Sequence, residues 1–381
     1  MKDEEMRYTF GKNWAEFIDK NFSEERVRIA QEHLLNFLKL KDLRGKTFLD
    51  IGCGSGIHSF AACNAGAERI FSFDYDPNSV KTTEFLRGKA GKNTNWEIVQ
   101  GSVLDKQFMD NLAKADIVYS WGVLHHTGSM WEAIENAAVK IKPDGVFYIA
   151  LYTTDVYKNP TPEYWLSIKQ KYNRVGNLGK KLMELGYAWN FDIKPSMKAP
   201  KYLIATLKRI TNYQASRGMS YWTDVKDWLG GWPMEFAGIQ ETKNLCEKKL
   251  GLELLNINAG EANTEYLFRK KGAQNYWNDY KAGLDIIELN KPFQHRNNYA
   301  WSIDLPQFKD YSDSVEYPKK SKLMLFENDI PVGFAHIPHS HIEQHGGGRY
   351  SHWNEQLIFS ATDNSDPNIN DKKYSICLDM L

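Results

Sequence analysis

The chain has 381 residues, with 48 basic and 48 acidic side chains and therefore no formal net charge. A chain of this length can form two domains with separate cores, and its balanced charge gives no general attraction for nucleic acid or anionic membrane. The four cysteines form no C-x-x-C pair, which favours a reducing, cytoplasmic location. The first ten residues are charged, so we expect no signal peptide, and no apolar run is long enough to span a bilayer.

The first predicted helix begins after Ser23 and extends to about residue 40, with its apolar stripe formed by Val27, Ala30, Leu34, Leu35 and Leu38. Phe10 and Trp14 precede it. These two side chains either close over a ligand or pack the helix onto a sheet, and the sequence leaves both alternatives open.

Strand and helix patterns alternate between residues 46 and 152. This alternation predicts a Rossmann-like, doubly wound, mostly parallel sheet, in which ligands bind at the carboxyl ends of the strands. The predicted strands cover 47–51, 69–73, 96–100, 116–121 and 146–152, and the predicted helices cover 57–65, 78–90, 105–113 and 130–140.

A glycine-rich turn follows the first strand. Asp50 is followed by Gly52, Cys53, Gly54, Ser55 and Gly56, and Asp74 ends the next strand about twenty residues later. Glycine lets a loop backbone approach a ligand closely, and a carboxylate there favours a cationic amino acid over a pyrophosphate. Asp74 stands where an acid can bind both hydroxyls of a ribose.

This pair of acids around a Gly-x-Gly-x-Gly turn resembles class I S-adenosylmethionine (SAM) methyltransferases. Further matching motifs are Phe-Gly-Lys-Asn-Trp at 10–14, Ser-Phe-Asp-Tyr-Asp-Pro at 72–77, Gly-Ser-Val-Leu-Asp at 101–105, Ser-Trp-Gly-Val-Leu-His-His-Thr at 120–127 and Asp-Trp-Leu-Gly-Gly-Trp-Pro-Met-Glu-Phe-Ala at 227–237. Together they resemble a bacterial group associated with small-molecule and surface-glycan pathways.

The resemblance implies a seven-stranded sheet and SAM as the cofactor. Residues 50–56 would hold the amino-acid end of SAM, Asp74 its ribose, and Ser102 and Val103 its adenine. Tyr75 is a further predicted cofactor-binding residue. Trp121 would lie beside the methyl donor.

His125 and His126 follow the fourth strand, where the methyl group should lie, and an imidazole there can remove a proton from an acceptor hydroxyl. The competing interpretation is that His126 only shapes the loop. Tyr152 and Asp155 beyond the fifth strand could orient the acceptor, or serve as a strand end and a helix cap.

Residues 155–235 are helical and rich in aromatic side chains, which predicts an insertion that covers the acceptor as a lid. The candidate acceptor-binding residues are Trp14, Tyr152, Arg217, Trp222 and Asp224. For the three in the insertion, packing of the lid is the alternative role.

A helix at 241–250 and an antiparallel pair at 252–257 and 264–269 close the predicted methyltransferase domain, which covers residues 1–272. Residues 273–381 form a predicted small β-sandwich or barrel, with strands at 322–327, 331–337, 355–361 and 373–378 and a turn at Asn328-Asp329.

His339, His341 and His345, spaced from Gly333 like part of a cupin motif, are predicted on β-strands. Three imidazoles there could hold a divalent ion, but no second motif is present, so a structural or sugar-contacting role is favoured over a metal site. Residues 363–368 predict Asx and proline turns rather than a calcium loop.

The sequence therefore predicts a SAM-dependent methyltransferase that acts on a hydroxyl of a sugar or another small polar metabolite, with a homo-oligomer possible and no nucleic-acid partner expected. The alternatives are a glycan-binding protein with an inactive methyltransferase-like domain, and a methyltransferase acting on a quinone, a lipid or a macromolecule.

Overall fold

The structure is a computed structural model that describes residues 8, 11, 18, 22–91, 94–155, 157, 159–198, 200–211, 221–259, 263–271, 285–317, 320–332 and 335–378. Phe10, Trp14, Arg217, Gly333 and the predicted domain boundary at 272–273 lie outside these residues. Among the described residues, no helix is long and apolar enough to cross a membrane.

Seven strands form one sheet in the order β3-β2-β1-β4-β5-β7-β6. Strands β1, β2, β3 and β4 pair in parallel, while β6 and β7 are antiparallel. The strands are β1 Thr47–Ile51, β2 Arg69–Asp74, β3 Trp96–Gln100, β4 Ala115–Trp121, β5 Ile141–Tyr152, β6 Leu252–Ala259 and β7 Asn263–Lys270. The predicted mostly parallel seven-stranded sheet is confirmed.

Helices follow the strands as the alternation predicted. They are α1 Glu24–Leu38, α2 Ile57–Asn64, α3 Pro77–Ala90, α4 Lys106–Asn111 and α5 Met130–Ala138. Side chains cap three of the helix starts: Ser23 accepts a hydrogen bond from Arg26 N, Asp76 from Asn78 N and Asp105 from Phe108 N. A short 3₁₀ turn, Leu124–His126, follows β4.

The chain after β5 folds into the predicted helical insertion. Its helices are α6 Pro162–Arg174, α7 Asn177–Tyr187, α8 Pro200–Thr211 and α9 Tyr221–Gly230, with a π-helical segment Ala188–Ile193 and a short turn Lys194–Ser196 between α7 and α8. Tyr172, Ala188, Tyr221, Val225 and Leu229 form its buried core. A helix α10, Ile239–Asn244, continues into a π-helical segment, Leu245–Lys249, before β6.

The chain divides into two compact units, residues 1–142 with 150–239 and residues 143–149 with 240–381. The second unit contains two four-stranded sheets, ordered β13-β14-β10-β9 and β12-β11-β15-β8. Their strands are β8 Ile286–Glu288, β9 Gln294–Asn297, β10 Ala300–Asp304, β11 Leu323–Glu327, β12 Ile330–Pro331, β13 Tyr350–Trp353, β14 Gln356–Phe359 and β15 Tyr374–Leu378. One core includes residues from both sheets, among them Leu325, Leu357, Phe359 and Ile376, so the predicted small all-β arrangement is confirmed.

Two predictions in this region are wrong. The strand predicted at 331–337 ends at Pro331, and the described residues 335–337 are not extended into a strand. His339, His341 and His345 lie on a helix, α11 His339–His345, rather than on strands. Pro338 precedes this helix and Gly346–Gly348, all with positive φ, follow it. Among the described residues, no group of three or more His, Cys, Asp or Glu side chains is placed to hold a metal ion.

Candidate active site

The glycine turn after β1 adopts a backbone that side chains would obstruct. Gly52, Gly54 and Gly56 have φ values of 76°, 55° and 80°. A Cβ atom on Gly52 would lie 2.3 Å from Val123 in the loop after β4, and one on Gly56 would lie 2.8 Å from Thr83 on α3. The turn is therefore held between two neighbouring elements, with Cys53 and Ser55 buried within it.

Asp74 at the end of β2 is half-buried and fixes the turn. Its Oδ2 accepts a hydrogen bond from Gly54 N at 2.9 Å, and its Oδ1 accepts one from Asp76 N at 2.8 Å. Burial raises the pKa of this carboxyl to about 6, although these backbone hydrogen bonds oppose the shift. The next side chain, Tyr75, is exposed, while its carbonyl accepts a hydrogen bond from Gln100.

Asp50 lies beneath the turn and is only 2 % exposed. Its Oδ2 accepts a hydrogen bond from Ser59 Oγ at 2.5 Å, and Ser59 contacts Ser72 at 2.7 Å. Burial, together with the nearby Asp74, raises the pKa of Asp50 to about 7 despite the hydrogen bond from Ser59. Both acids are thus in place around the turn, and the ionised form of Asp50 has little solvent to stabilise it.

The loop after β3 and the end of β4 form the next part of this edge. Ser102 Oγ accepts a hydrogen bond from Leu104 N at 3.2 Å, which leaves its hydroxyl hydrogen for a donor role. Val103 is buried, and its carbonyl accepts a hydrogen bond from Asn136 on α5. The Trp121 ring is partly exposed, and its centroid lies 6.2 Å from that of His58.

The two adjacent histidines have different environments. His125 is fully buried, and neither of its ring nitrogens has a hydrogen-bond partner among the described residues. Burial, followed by repulsion from His126 and Lys169, lowers the pKa of His125 well below its ordinary value, so this ring is neutral. His126 is half-buried, and its Nδ1 lies 2.8 Å from the carbonyl oxygen of Pro233. Since a carbonyl can only accept, the neutral His126 ring carries its hydrogen on Nδ1 and its basic lone pair on Nε2.

The segment after α9 holds the histidine loop in position. His126 contacts Pro233, Glu235 N donates to the carbonyl of His125 at 2.8 Å, and Met130 N donates to Glu235 Oε2 at 2.8 Å. Burial raises the pKa of Glu235, against the hydrogen bond from Met130. Two of these hydrogen bonds join the motif at 120–127 to the motif at 227–237, and the third joins Glu235 to the start of α5.

The N-terminal segment approaches the same edge of the sheet. Tyr8 donates its backbone N–H to the carbonyl of Trp232 at 2.8 Å and its hydroxyl to Asp227 at 3.0 Å. Gly11 N donates to Asp76 Oδ2 at 2.9 Å, beside the start of α3. Gly11, the described residue of the motif at 10–14, thus lies beside the loop after β2.

Aromatic side chains of the insertion extend from the histidines. The Tyr152 ring lies 4.4 Å from His125 and 5.6 Å from Trp228, and Tyr157 stacks on Trp228 at 5.6 Å. Lys169, almost fully buried, donates to the carbonyl of Trp228 and lies 4.3 Å from its ring centroid. Burial lowers the pKa of Lys169 to about 7, although Asp227 opposes this shift. Single-sequence reasoning did not identify Tyr157 or Lys169, because neither occurs in a motif.

The remaining candidate residues differ in their exposure and in the groups that they contact. Burial and then the carboxylates of Asp224 and Asp227 raise the pKa of Tyr152, so Asp224 lies near the strand-end cluster. Trp222 is 41 % exposed and contacts Tyr221. Asp155 Oδ2 accepts a hydrogen bond from Ile239 N and so caps helix α10. This agrees with the alternative role of a helix cap given above.

A Rossmann-like sheet with this turn and these acids at its carboxyl edge defines a class I SAM-dependent methyltransferase domain. The family model described as "Methyltransferase domain" matches residues 49–149. The cofactor of this class is S-adenosylmethionine. The residues fit it, because the turn leaves no room for Cβ atoms at Gly52 and Gly56, and a half-exposed carboxylate, Asp74, lies beside it.

Two similar proteins each match about a third of the chain. The chain is 30 % identical over 116 residues to the ribosomal protein L11 methyltransferase of Tolumonas auensis, which covers 30 % of this chain and 37 % of that protein. It is 31 % identical over 129 residues to the tRNA U34 carboxymethyltransferase of Aeromonas hydrophila subsp. hydrophila, covering 33 % and 39 %. The chain therefore matches well under two thirds of the length of either relative.

Among solved structures, the magnesium protoporphyrin IX methyltransferase of Synechocystis PCC 6803 with bound SAH aligns with a TM-score of 0.41 and 12 % identity. The alignment covers 71 % of this chain and 98 % of that chain.

Proposed function

We propose that this protein transfers the methyl group of SAM to a hydroxyl of a sugar or another small polar metabolite, in a surface-glycan or secondary-metabolite pathway. The observation that carries the proposal is the environment of His126 at the end of β4. This half-buried imidazole has its Nδ1 fixed on the Pro233 carbonyl, so its basic nitrogen is Nε2. It stands beside a methyltransferase domain's cofactor turn and beneath the helical insertion.

The residues that would hold SAM lie at three adjacent strand ends. The turn from Gly52 to Gly56 would hold the amino-acid part, the Asp74 carboxylate the two ribose hydroxyls, and Ser102 and Val103 the adenine. Asp50 would attract the ammonium group from beneath the turn, since a poorly solvated carboxylate is stabilised by a nearby cation.

SAM supplies an electrophilic methyl group when bound, so the chain mainly has to orient the acceptor and remove its proton. We assign the removal of the acceptor's proton to Nε2 of His126. His125 does not serve this purpose, because it is buried and its pKa lies well below the ordinary value. Its role is to support the loop through its carbonyl, which accepts a hydrogen bond from Glu235.

The insertion supports a flat or sugar-like acceptor. Tyr152, Tyr157, Trp228 and Phe236 are each half-buried and pack against one another beside the histidines. Faces of aromatic rings pack well on the apolar faces of sugars, while their hydroxyl and indole groups provide hydrogen bonds. Asp224, close to Tyr152, adds an acceptor for sugar hydroxyls.

The proposal is tested by methyl transfer from labelled SAM to a panel of nucleotide sugars and to extracts of cells that lack the protein, with mass analysis of the products. Transfer to a sugar hydroxyl supports the proposal. Methylation of tRNA, of a ribosomal protein or of a quinol, and of no sugar, would overturn it. Binding of a glycan without any methyl transfer would instead support an inactive methyltransferase-like domain.

The role of His126 is tested with the acceptor that the panel identifies. His126→Gln should reduce kcat by about 10²–10⁴-fold, the usual contribution of a general base, and leave SAM affinity within twofold. His341→Gln, at an exposed position of helix α11, is the matched control and should leave kcat unchanged. If His126→Gln retains full kcat over the whole pH range, the imidazole only shapes the loop.

A further inference from the structure

The helical insertion exposes an apolar stripe that no described residue covers. Leu178, Leu182 and Leu185 of α7 and Trp189 of the π-helical segment are 78 %, 62 %, 52 % and 49 % exposed. Their spacing of four, three and four residues places the three leucines, and closely also the tryptophan, on one side of the helix. Single exposed apolar residues are ordinary, whereas four on one helical face form a patch.

The opposite side of the same segment packs into the core of the insertion. Met183, Tyr187 and Ala188 pack against Tyr172 and Tyr221 inside the insertion. A surface helix normally has one apolar side and one polar side. Here the outward side is apolar as well, and Met197, Ile204 and Leu207 in the following helical segments are also about half exposed. Folding of the insertion therefore does not account for the stripe.

The charge around the stripe is strongly positive, although the whole chain is neutral. Among the described side chains from 177 to 211, the acids are Glu184 and Asp192, and both are engaged inside the insertion. Glu184 accepts a hydrogen bond from Tyr172 Oη, and Asp192 pairs with Arg209 and Tyr221. The basic residues beyond this pair are Lys181, Lys194, Lys198 and Lys208, while the Lys180 ammonium lies 5.3 Å from the ring centroid of Tyr172.

We propose that this stripe, residues 178–189 with its flanking lysines, docks on the surface of an anionic lipid bilayer. Leucine and tryptophan on one helical face, bordered by lysines, are the combination by which interfacial helices bind: the apolar side enters the headgroup region and the lysines contact anionic headgroups. A second copy of the chain fits less well, since a two-fold contact through the stripe would bring two sets of lysines together.

The docking would bring the insertion that covers the acceptor to the lipid surface. Trp228 on α9 packs on Tyr152 beside the histidines, and α9 shares the insertion's core with α7. If the proposed function holds, an acceptor attached to a lipid could then reach the site without leaving the membrane surface. Lipid binding itself does not depend on the identity of the acceptor.

The test is sedimentation of the full-length protein with vesicles of phosphatidylcholine alone and vesicles containing about a third phosphatidylglycerol. We expect binding to the anionic vesicles that weakens as salt is added, because exposed charges are screened. The double variant Leu182→Glu/Leu185→Glu should bind at least tenfold more weakly. Ile369→Glu, at an 83 % exposed isoleucine far along the chain, should bind like the wild type.

Two results would overturn the proposal: no binding to anionic vesicles, or equal binding by the double variant. Analytical ultracentrifugation of both proteins without lipid tests the competing occupant, because a wild-type dimer that the double variant converts to a monomer would assign the stripe to a second copy. Methyl transfer to a water-soluble acceptor, unchanged in the double variant, would show that the site is intact and that only docking is lost. If the protein does not bind the vesicles, the assignment of the SAM-binding residues is not affected.

Discussion

Replacing Asp50 by asparagine should stabilise the protein without ligand at pH 8 and weaken its binding of SAM. The carboxyl is 2 % exposed, and its pKa rises from 3.8 to about 7 in the folded protein. At about 1.4 kcal/mol per pKa unit, an ionised Asp50 disfavours folding by up to about 4 kcal/mol. Asparagine keeps an oxygen for the Ser59 hydroxyl and removes the buried charge.

The sign of the pH dependence follows from the raised pKa. Above pH 7 Asp50 is ionised in both the folded and the unfolded state, so the whole penalty applies. Between about pH 4 and 7 the folded protein keeps the proton that the unfolded chain loses, and the penalty falls as the pH falls. Below pH 4 the residue is neutral in both states. The gain from Asp50→Asn should therefore be largest at pH 8 and small near pH 4.

Thermal unfolding of both proteins at pH 5 and pH 8, without ligand, measures this difference. Asp116→Asn is the control, because burial there is outweighed by hydrogen bonds from Lys142 and Thr47, which lower its pKa. That variant should be destabilised at pH 8. If Asp50→Asn unfolds at or below the wild-type temperature at pH 8, the buried charge does not oppose folding. If it also binds SAM as tightly as the wild type, Asp50 has no part in the cofactor site.

The remaining predictions concern the turn and the histidine loop. Gly52→Ala should abolish measurable SAM binding and lower the free energy of unfolding by more than about 1–3 kcal/mol. Alanine would be strained at the positive φ of residue 52, and its Cβ would also lie 2.3 Å from Val123. Gly45→Ala is the control, because residue 45 has a φ of 71° and no atom lies within 4 Å of its added Cβ. In the same melting assay this variant should lose only the stability that the strained backbone costs. Equal losses of stability in the two variants would disprove the steric argument. Glu235→Ala removes the acceptor for Met130 N and should reduce kcat with little change in SAM affinity by calorimetry. Glu235→Gln should restore much of the activity, and failure to do so would mean that charge rather than the hydrogen bond matters.

The sequence was most informative where local pattern and ligand chemistry coincide. Strand β1, the turn at Gly52–Gly56 and helix α2 fall where they were predicted, because alternation, glycine and helical periodicity act over a few residues. Asp74 was predicted as a site residue from its position about twenty residues after Asp50 and the glycine turn. Its hydrogen bond to Gly54, twenty residues earlier, shows why the acid and the turn occur together.

Long-range contacts explain what the sequence left open. The hydrogen bonds that hold His125 and His126 come from Pro233 and Glu235, more than one hundred residues later, and no local pattern specifies such a contact. Buried Lys169 resembles any helical lysine in sequence, and only the fold places it on Trp228.

Short elements of the C-terminal region were missed for a different reason. Strands β8, β9 and β10 have only three to five residues, and all β9 side chains are exposed, so their patterns are too short or too polar to detect. The residues His339–His345 were assigned to strands from a motif spacing. Ile342 is the only buried residue among them, so helical periodicity was too weak to reveal α11.

The most direct test of the SAM site is calorimetric titration of SAM into the wild type and into Asp74→Ala, with Asp116→Ala, at the start of β4, as the control. Loss of a hydrogen bond to a charged group is worth about 1.5–3 kcal/mol, so Asp74→Ala should bind about ten- to a hundredfold more weakly while the control binds like the wild type. Equal affinities in all three proteins would contradict the assignment of the ribose to Asp74.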